Sequence, residues 1–447
     1  MRERVLSGSG AAPGQPPAAG GPGPAEPPPA TLAARIRGLA AGNARAVSVA
    51  ICAVLIAEAG AVLWFAATHR QVDFSVYLWG GHAVAQDSRL YLVAAHGHWF
   101  TYPPFAAALF AVIAVVPFTA AQVLWALASL IAFAFACHLT LRLAGARPSW
   151  TATAAVVAAG LALEPVYHTL FNGQINTILL AFVLADVWRV AQGRRAGIAI
   201  GIAAAIKLTP GIFVLLFLLT RRTKAALTAM ATFAVCTLIG YLVAPSASRL
   251  YWTRFFYDTK RVDAPYIGNQ SLYGSTVRLL GGESHVGGWF LLLPLAVAVV
   301  GLATATVFAR RGEWLTAAAV TGVTSLLMSP VSWTHHWVWV MPALIVLARG
   351  RRGERIAAGC GYLLFVLAPL WWTPHSLGQY DYGFHWLLTL VANCYVLAGI
   401  VFLGYMAWRA RAPARQADRL PGSVHCHVAA QKLDVPAGRG LEDLAGG

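Results

Sequence analysis

The feature that most constrains this chain is a succession of apolar runs about as long as a bilayer is thick, divided by more polar stretches. They lie at about 46–67, 105–143, 149–165, 172–190, 196–219, 225–244, 289–309, 314–330, 332–348, 356–372 and 386–408. At 1.5 Å of rise per residue, about 20 apolar residues cross a hydrocarbon core of roughly 30 Å as a helix. Only 11% of the residues are charged, against roughly 25% in soluble domains. These observations predict an all-α polytopic membrane protein and exclude a soluble single domain.

The net charge of +16 would suit a nucleic-acid partner, but the placement of the basic residues argues otherwise. Arg194 and Arg195, Arg221 to Lys224, Arg310 and Arg311, Arg349 to Arg355 and Arg409 to Arg415 sit at the ends of apolar runs. That is the positive-inside distribution that orients spans, not a basic groove. By this rule Arg35, Arg37 and Arg45 place the N-terminus in the cytoplasm. Residues 68–104, 245–288 and 373–385 become external loops, and the tail from Arg409 is cytoplasmic. Residues 1–45 and 411–447 lack apolar periodicity and are expected to be disordered cytoplasmic tails around a transmembrane body at 46–410. Two places leave the span count open, at about 10–12. Residues 105–143 are interrupted at Pro117. Residues 196–219 carry basic groups at both ends, as a hairpin of half-helices breaking at Lys207 to Pro210 would.

Of the six cysteines, five lie in apolar stretches without ligand spacing and read as small buried hydrophobes. Cys426, between His425 and His427, has no second half of a metal site. Nothing in the chain calls for a metal or other cofactor. No D-x-D, P-loop or G-x-S-x-G pattern occurs, which disfavours a nucleotide donor.

Several polar residues stand out against the apolar background. Asp73 lies just past the outer end of the first run, with Tyr77 one helical turn on. A carboxylate there suits a general base for a sugar hydroxyl, and equally a helix N-cap. Tyr102, before Pro103 and Pro104, marks the re-entry into the membrane. Asn172, Gln174 and Asn176 are three amides between apolar runs, fit either to bind sugar or phosphate or to cap the next helix. Lys207 is the only lysine in the apolar body and needs an anion or water, with a lipid phosphate or one of Glu58, Glu164 and Asp186 as partner. Glu58, inside the first run, has no evident partner. His335 and His336 follow Trp333 near the outer end of their run. On an α-helix adjacent residues point about 100° apart, which favours substrate or Asp73 contact over metal. Asn269, Gln270 and Ser271 form a sequon in a predicted external loop.

VDFSVY, FTYPPFAA, NGQIN, KLTP, NQS and SPVSWTHHWVW, in this order between about 60 and 400, together resemble glycosyltransferase family 87, in particular its mycobacterial α-(1→2)-mannosyltransferases of phosphatidylinositol mannoside synthesis. The resemblance implies a GT-C membrane fold with long periplasmic loops and chemistry on the periplasmic side of the plasma membrane. It implies polyprenyl-phosphate-mannose as donor and a phosphatidylinositol mannoside or other lipid-linked mannan as acceptor. It places the catalytic aspartate at Asp73 and makes His335 and His336 site residues. Tyr77, Tyr102, Asn172, Gln174, Asn176, Lys207, Asn269, Gln270 and Trp333 are candidate substrate contacts. A β-linked donor and α-linked product imply one inverting displacement. Branching of lipomannan or lipoarabinomannan, arabinose transfer, a lipid or sugar flippase and a non-catalytic scaffold are the competing readings. The long loops and the absence of an evident repeat count against a transporter.

Overall fold

The computed structural model describes residues 44–412, except 88, 96, 259, 260 and 376–382. Of the tails expected to be disordered, 1–45 and 411–447, residues 44, 45 and 411 are helical, while residues before 44 and from 413 on, with Cys426 and its flanking histidines, lie outside the described residues. Among the described residues the secondary structure is helical, with only isolated bridges besides.

Four helices are long and apolar enough to cross a membrane: Ala44–Thr68, Phe118–Leu143, Thr223–Val243 and Gly288–Arg310. Two bent pairs, Trp150–Leu161 with Glu164–Asn172 (79°) and Trp386–Ala392 with Cys394–Arg411 (73°), would bring the number to six. The protein is therefore a multi-pass membrane protein. The expected ten to twelve crossings also require shorter apolar helices, among them Pro104–Ile113, Trp314–Met328 and Thr334–Ala348.

Both ambiguous stretches break where the sequence bends. Pro117 ends the 105–143 run in two, serving as N-cap of Phe118–Leu143 after Pro104–Ile113 closes. A proline has no N–H to continue the ladder and biases the preceding residue away from the helical region. The 196–219 run divides into Ile198–Ile206, the 3-10 turn Thr209–Gly211 and Ile212–Leu219, with Lys207 in extended conformation at the break. Asp186, one of the carboxylates considered for Lys207, instead accepts from Ile200 N (2.8 Å) and satisfies the start of that helix. Glu58 stays half-buried with one carboxylate oxygen lacking a hydrogen-bond partner.

Trp314–Met328 is the central helix, with fourteen of its fifteen residues buried. Against it and its neighbours the chain packs two apolar clusters. The larger runs through Phe133, Phe213, Phe308 and Trp337, and the smaller gathers Phe74, Tyr77, Phe100, Phe110 and Trp125. The smaller one holds the short helix Val72–Ala83 against Pro104–Ile113. Gly81 permits that approach: a Cβ there would lie 2.7 Å from the Phe110 carbonyl.

Candidate active site

The Asp73 helix is fixed at its start by buried polar contacts. Gln71 N donates to Gln122 Oε1 (3.0 Å), and Gln71 Nε2 donates to Leu170 O (2.7 Å). Asp73 is therefore in the first turn of Val72–Ala83, whose N-cap is Gln71; it is not the capping residue. One turn on, the hydroxyls of Tyr77 and Tyr102 lie 2.8 Å apart and donate toward Gln174 Oε1 at 2.7 and 3.0 Å. With its oxygen occupied by two phenols, Gln174 turns its amide nitrogen to the Asp73 carboxylate, which it hydrogen-bonds. Burial raises the Asp73 pKa above the ordinary carboxylate range; the Gln174 hydrogen bond and then the Lys207 charge pull it back.

The NGQIN turn works through its backbone as well as its amides. Gly173 ends the helix Glu164–Asn172 at φ 71° and its carbonyl accepts from Trp125 Nε1 (2.8 Å). A Cβ on Gly173 would meet Phe74 at 2.6 Å. Asn176 opens the next helix without capping it, and Nδ2 donates to His335 O (2.9 Å). Its Oδ1 accepts from Lys207 Nζ (3.1 Å). Asn172 is half-buried at its helix end and makes none of these bonds.

Lys207 has neutral partners. Besides Asn176, its Nζ lies 2.8 Å from His336 Nε2 and 5.6 Å from the centre of the Tyr102 ring. An ammonium only donates, so His336 Nε2 accepts; the ring also hydrogen-bonds the Val331 backbone. Both His336 nitrogens are thereby engaged. Two of the three ammonium protons are taken, and the third has no hydrogen-bond partner among the described residues. Glu164, another of the three bundle carboxylates considered for this cation, instead bonds His168 Nδ1 (2.8 Å).

The histidine pair lies on a 3-10 helix, Thr334–Trp339, not on the α-helix the sequence suggested. At three residues per turn, neighbours diverge by about 120°. His336 thus faces Lys207 while His335 turns toward His168, ring centres 5.3 Å apart. His335 is only 7% exposed, and neither ring nitrogen has a hydrogen-bond partner.

The sequon residues hold this segment in place. Asn269 Oδ1 accepts from Ser332 N (2.9 Å), and its Nδ2 donates to Ala264 O and Pro330 O. Gln270 Nε2 donates to Ile267 O and Ala392 O, and Oε1 accepts from Tyr395 N. Both side chains are buried with their amides bonded to backbone, so they act by shaping the loop. Trp333 is bridged to Asn269 and half-exposed, its ring 6.1 Å from Tyr266. Sequence reasoning passed over Arg278, which is buried and donates to Tyr266 O and Asn269 O (3.0 Å each) and to Asn393 Oδ1 (2.6 Å). Its one signal was an arginine inside a short amphipathic helix. His168 was missed too, lying four residues from Glu164 in the break between the runs 149–165 and 172–190. Among the described residues, no three of His, Cys, Asp and Glu are grouped to hold a metal ion.

A half-buried carboxylate, an ammonium with a proton to give and two tyrosines thus meet at a break in a multi-pass helical body, the arrangement of a membrane-embedded group-transfer enzyme. The sequence pattern of glycosyltransferase family 87 matches residues 100–330. The chain is 32% identical over 389 residues to a Mycobacterium tuberculosis polyprenol-phosphate-mannose-dependent alpha-(1-2)-phosphatidylinositol mannoside mannosyltransferase, covering 80% of this chain and 91% of that protein. A Mycolicibacterium smegmatis protein of the same description is 35% identical over 344 residues, 69% of this chain and 76% of its own. A Mycobacterium tuberculosis pentamannoside mannosyltransferase is 32% identical over 354 residues, 75% and 81%. No solved structure matches the chain. The chain belongs to glycosyltransferase family 87.

Proposed function

We propose that this glycosyltransferase moves mannose from polyprenyl-phosphate-mannose to a phosphatidylinositol mannoside, in α-1,2 linkage, by one inverting displacement on the periplasmic face. Asp73 deprotonates the attacking 2-hydroxyl as it bonds to the anomeric carbon. The polyprenyl phosphate leaves as an anion and needs no acid. Lys207 offers its uncommitted proton to that phosphate, and His336 and Asn176 hold the ammonium in place. Gln174, fixed by Tyr77 and Tyr102, aims the carboxylate. The reading needs no cofactor. It rests above all on one observation: a single carboxylate, oriented by an amide, shares the site with a lysine whose hydrogen-bond partners are both neutral. The relatives' names supply the donor and acceptor.

A positioned base contributes about 10²–10⁴-fold. Asp73→Asn is expected to lose that much transfer in membranes supplied with polyprenyl-phosphate-mannose, while inserting and folding normally. Near-normal transfer by this variant would remove Asp73 from the mechanism. Cysteine labelling at position 73 from outside tests the facing: a cytosolic residue refutes it.

A further inference from the structure

Beyond Lys207, on the other side of His336, the structure holds a second cluster that the transfer chemistry above does not use. Glu164 begins the helix after the 79° bend and is 1% exposed. Its carboxylate is fully engaged: Oε1 accepts from His168 Nδ1 (2.8 Å) and Trp371 Nε1 (2.9 Å), and Oε2 accepts from Tyr395 OH (3.0 Å). Thr334 Oγ1 lies 2.9 Å from the same His168 nitrogen. His168 is thereby held with Nδ1 toward Glu164, which leaves Nε2 without a hydrogen-bond partner among the described residues. Its side chain is 29% exposed, so that second nitrogen belongs to a ring that a ligand can reach.

His335 completes the niche. Its two ring nitrogens are buried and unpartnered, a state that in a native protein calls for a partner or a functional reason. Aromatic rings stand close by: Trp371 is 5.8 Å from His168 and 6.2 Å from Tyr266, which in turn is 6.1 Å from Trp333. All three are half-exposed. Gly268 adjoins them without a side chain; a Cβ there would lie 2.9 Å from the Tyr266 ring and 3.2 Å from Trp371.

We propose that His168, His335 and the Trp371–Tyr266–Trp333 wall form a pyranose-binding subsite, with Glu164 as the positioning residue that holds His168. Imidazole nitrogens can donate to or accept from sugar hydroxyls. An anion would want donors only, and the buried Glu164 carboxylate behind His168 repels it. The aromatic faces suit the apolar side of the ring. Lys207 therefore takes the phosphate and this niche takes a mannose, that of the donor or that of the acceptor.

The inference rests on the transferase reading, but octyl α-mannoside binding to the full chain in detergent tests it without turnover. His168→Ala and Trp371→Leu are each expected to weaken that binding at least about tenfold, the loss of one good contact. In transfer assays they raise KM for one sugar substrate by a similar factor with kcat little changed. A rise confined to polyprenyl-phosphate-mannose assigns the niche to the donor sugar, and one confined to the acceptor assigns it to the acceptor. Glu164→Gln reproduces the KM effect more weakly. Unchanged mannoside binding and unchanged KM for both substrates in a folded variant overturns the inference, as does a loss in kcat alone. Should His168→Ala not fold, His168→Asn and Trp371→Leu decide by the same criteria. A chain that binds the mannoside through these residues yet transfers nothing refutes the transferase reading and keeps the niche.

Discussion

Replacing Lys207 by Met probes the charge balance of the site most directly. The ammonium donates to Asn176 Oδ1 and His336 Nε2 at 3.1 and 2.8 Å, and its remaining proton faces a site that also holds Asp73. A preorganised donor at a developing oxyanion is worth roughly 2.7–4 kcal/mol, and a single charge-assisted hydrogen bond about 1.5–3 kcal/mol. Lys207 is half-buried, so water screens part of its field and the overlap of the two ranges applies. Lys207→Met should therefore lower kcat about 100-fold, some 2.7 kcal/mol. Because the interaction grows as the phosphate leaves, kcat should fall more than KM rises. His336 acts through the ammonium, so His336→Ala should cost less than Lys207→Met. The double variant should be no worse than Lys207→Met alone, since neighbours sharing one function are not additive. The assay is mannose transfer in membranes at saturating carrier-linked donor. A kcat within about threefold of the parent chain, or fully additive losses, would refute the role given to the cation.

Two further outcomes follow from the same geometry. A base must be ionised, and burial raises the Asp73 pKa, so kcat/KM should climb with pH through a value above the ordinary carboxylate range. Gln174→Met, which removes a bond to the ionised form, should move that limb to still higher pH; a limb at or below the ordinary carboxylate range refutes the burial argument. Arg278→Met strips donors from Tyr266 O, Asn269 O and Asn393 Oδ1. At about 1–3 kcal/mol per stranded buried acceptor, it should lower the thermal midpoint in detergent by several degrees, and an unchanged midpoint would show the loop to be held by other means.

The sequence made the helical class and the two breaks legible because proline and the apolar period act locally. Asp73, Gln174, Asn176 and Lys207 stood out for the same reason: polar groups amid hydrocarbon are costly, and each announces itself without its neighbours. Their division of labour was not legible. His335 and His336 are adjacent and chemically identical, and only their placed surroundings show one at Lys207 and the other beside His168. Asn269 and Gln270 look like ligand-binding amides until the backbone groups they bond are placed beside them from more than sixty residues away. Glu164 was visible as an intramembrane carboxylate, but its partners were not: Trp371 and Tyr395 lie some two hundred residues on, and no spacing in the chain points there.

The neutral surroundings of Lys207 have a further consequence for turnover. A phosphodiester arrives with one negative charge, and the monoester left behind carries up to two. With no local carboxylate in contact to cancel it, the ammonium grips the spent carrier more firmly than the fresh one. Free polyprenyl phosphate should then compete with its own mannosylated form for the site.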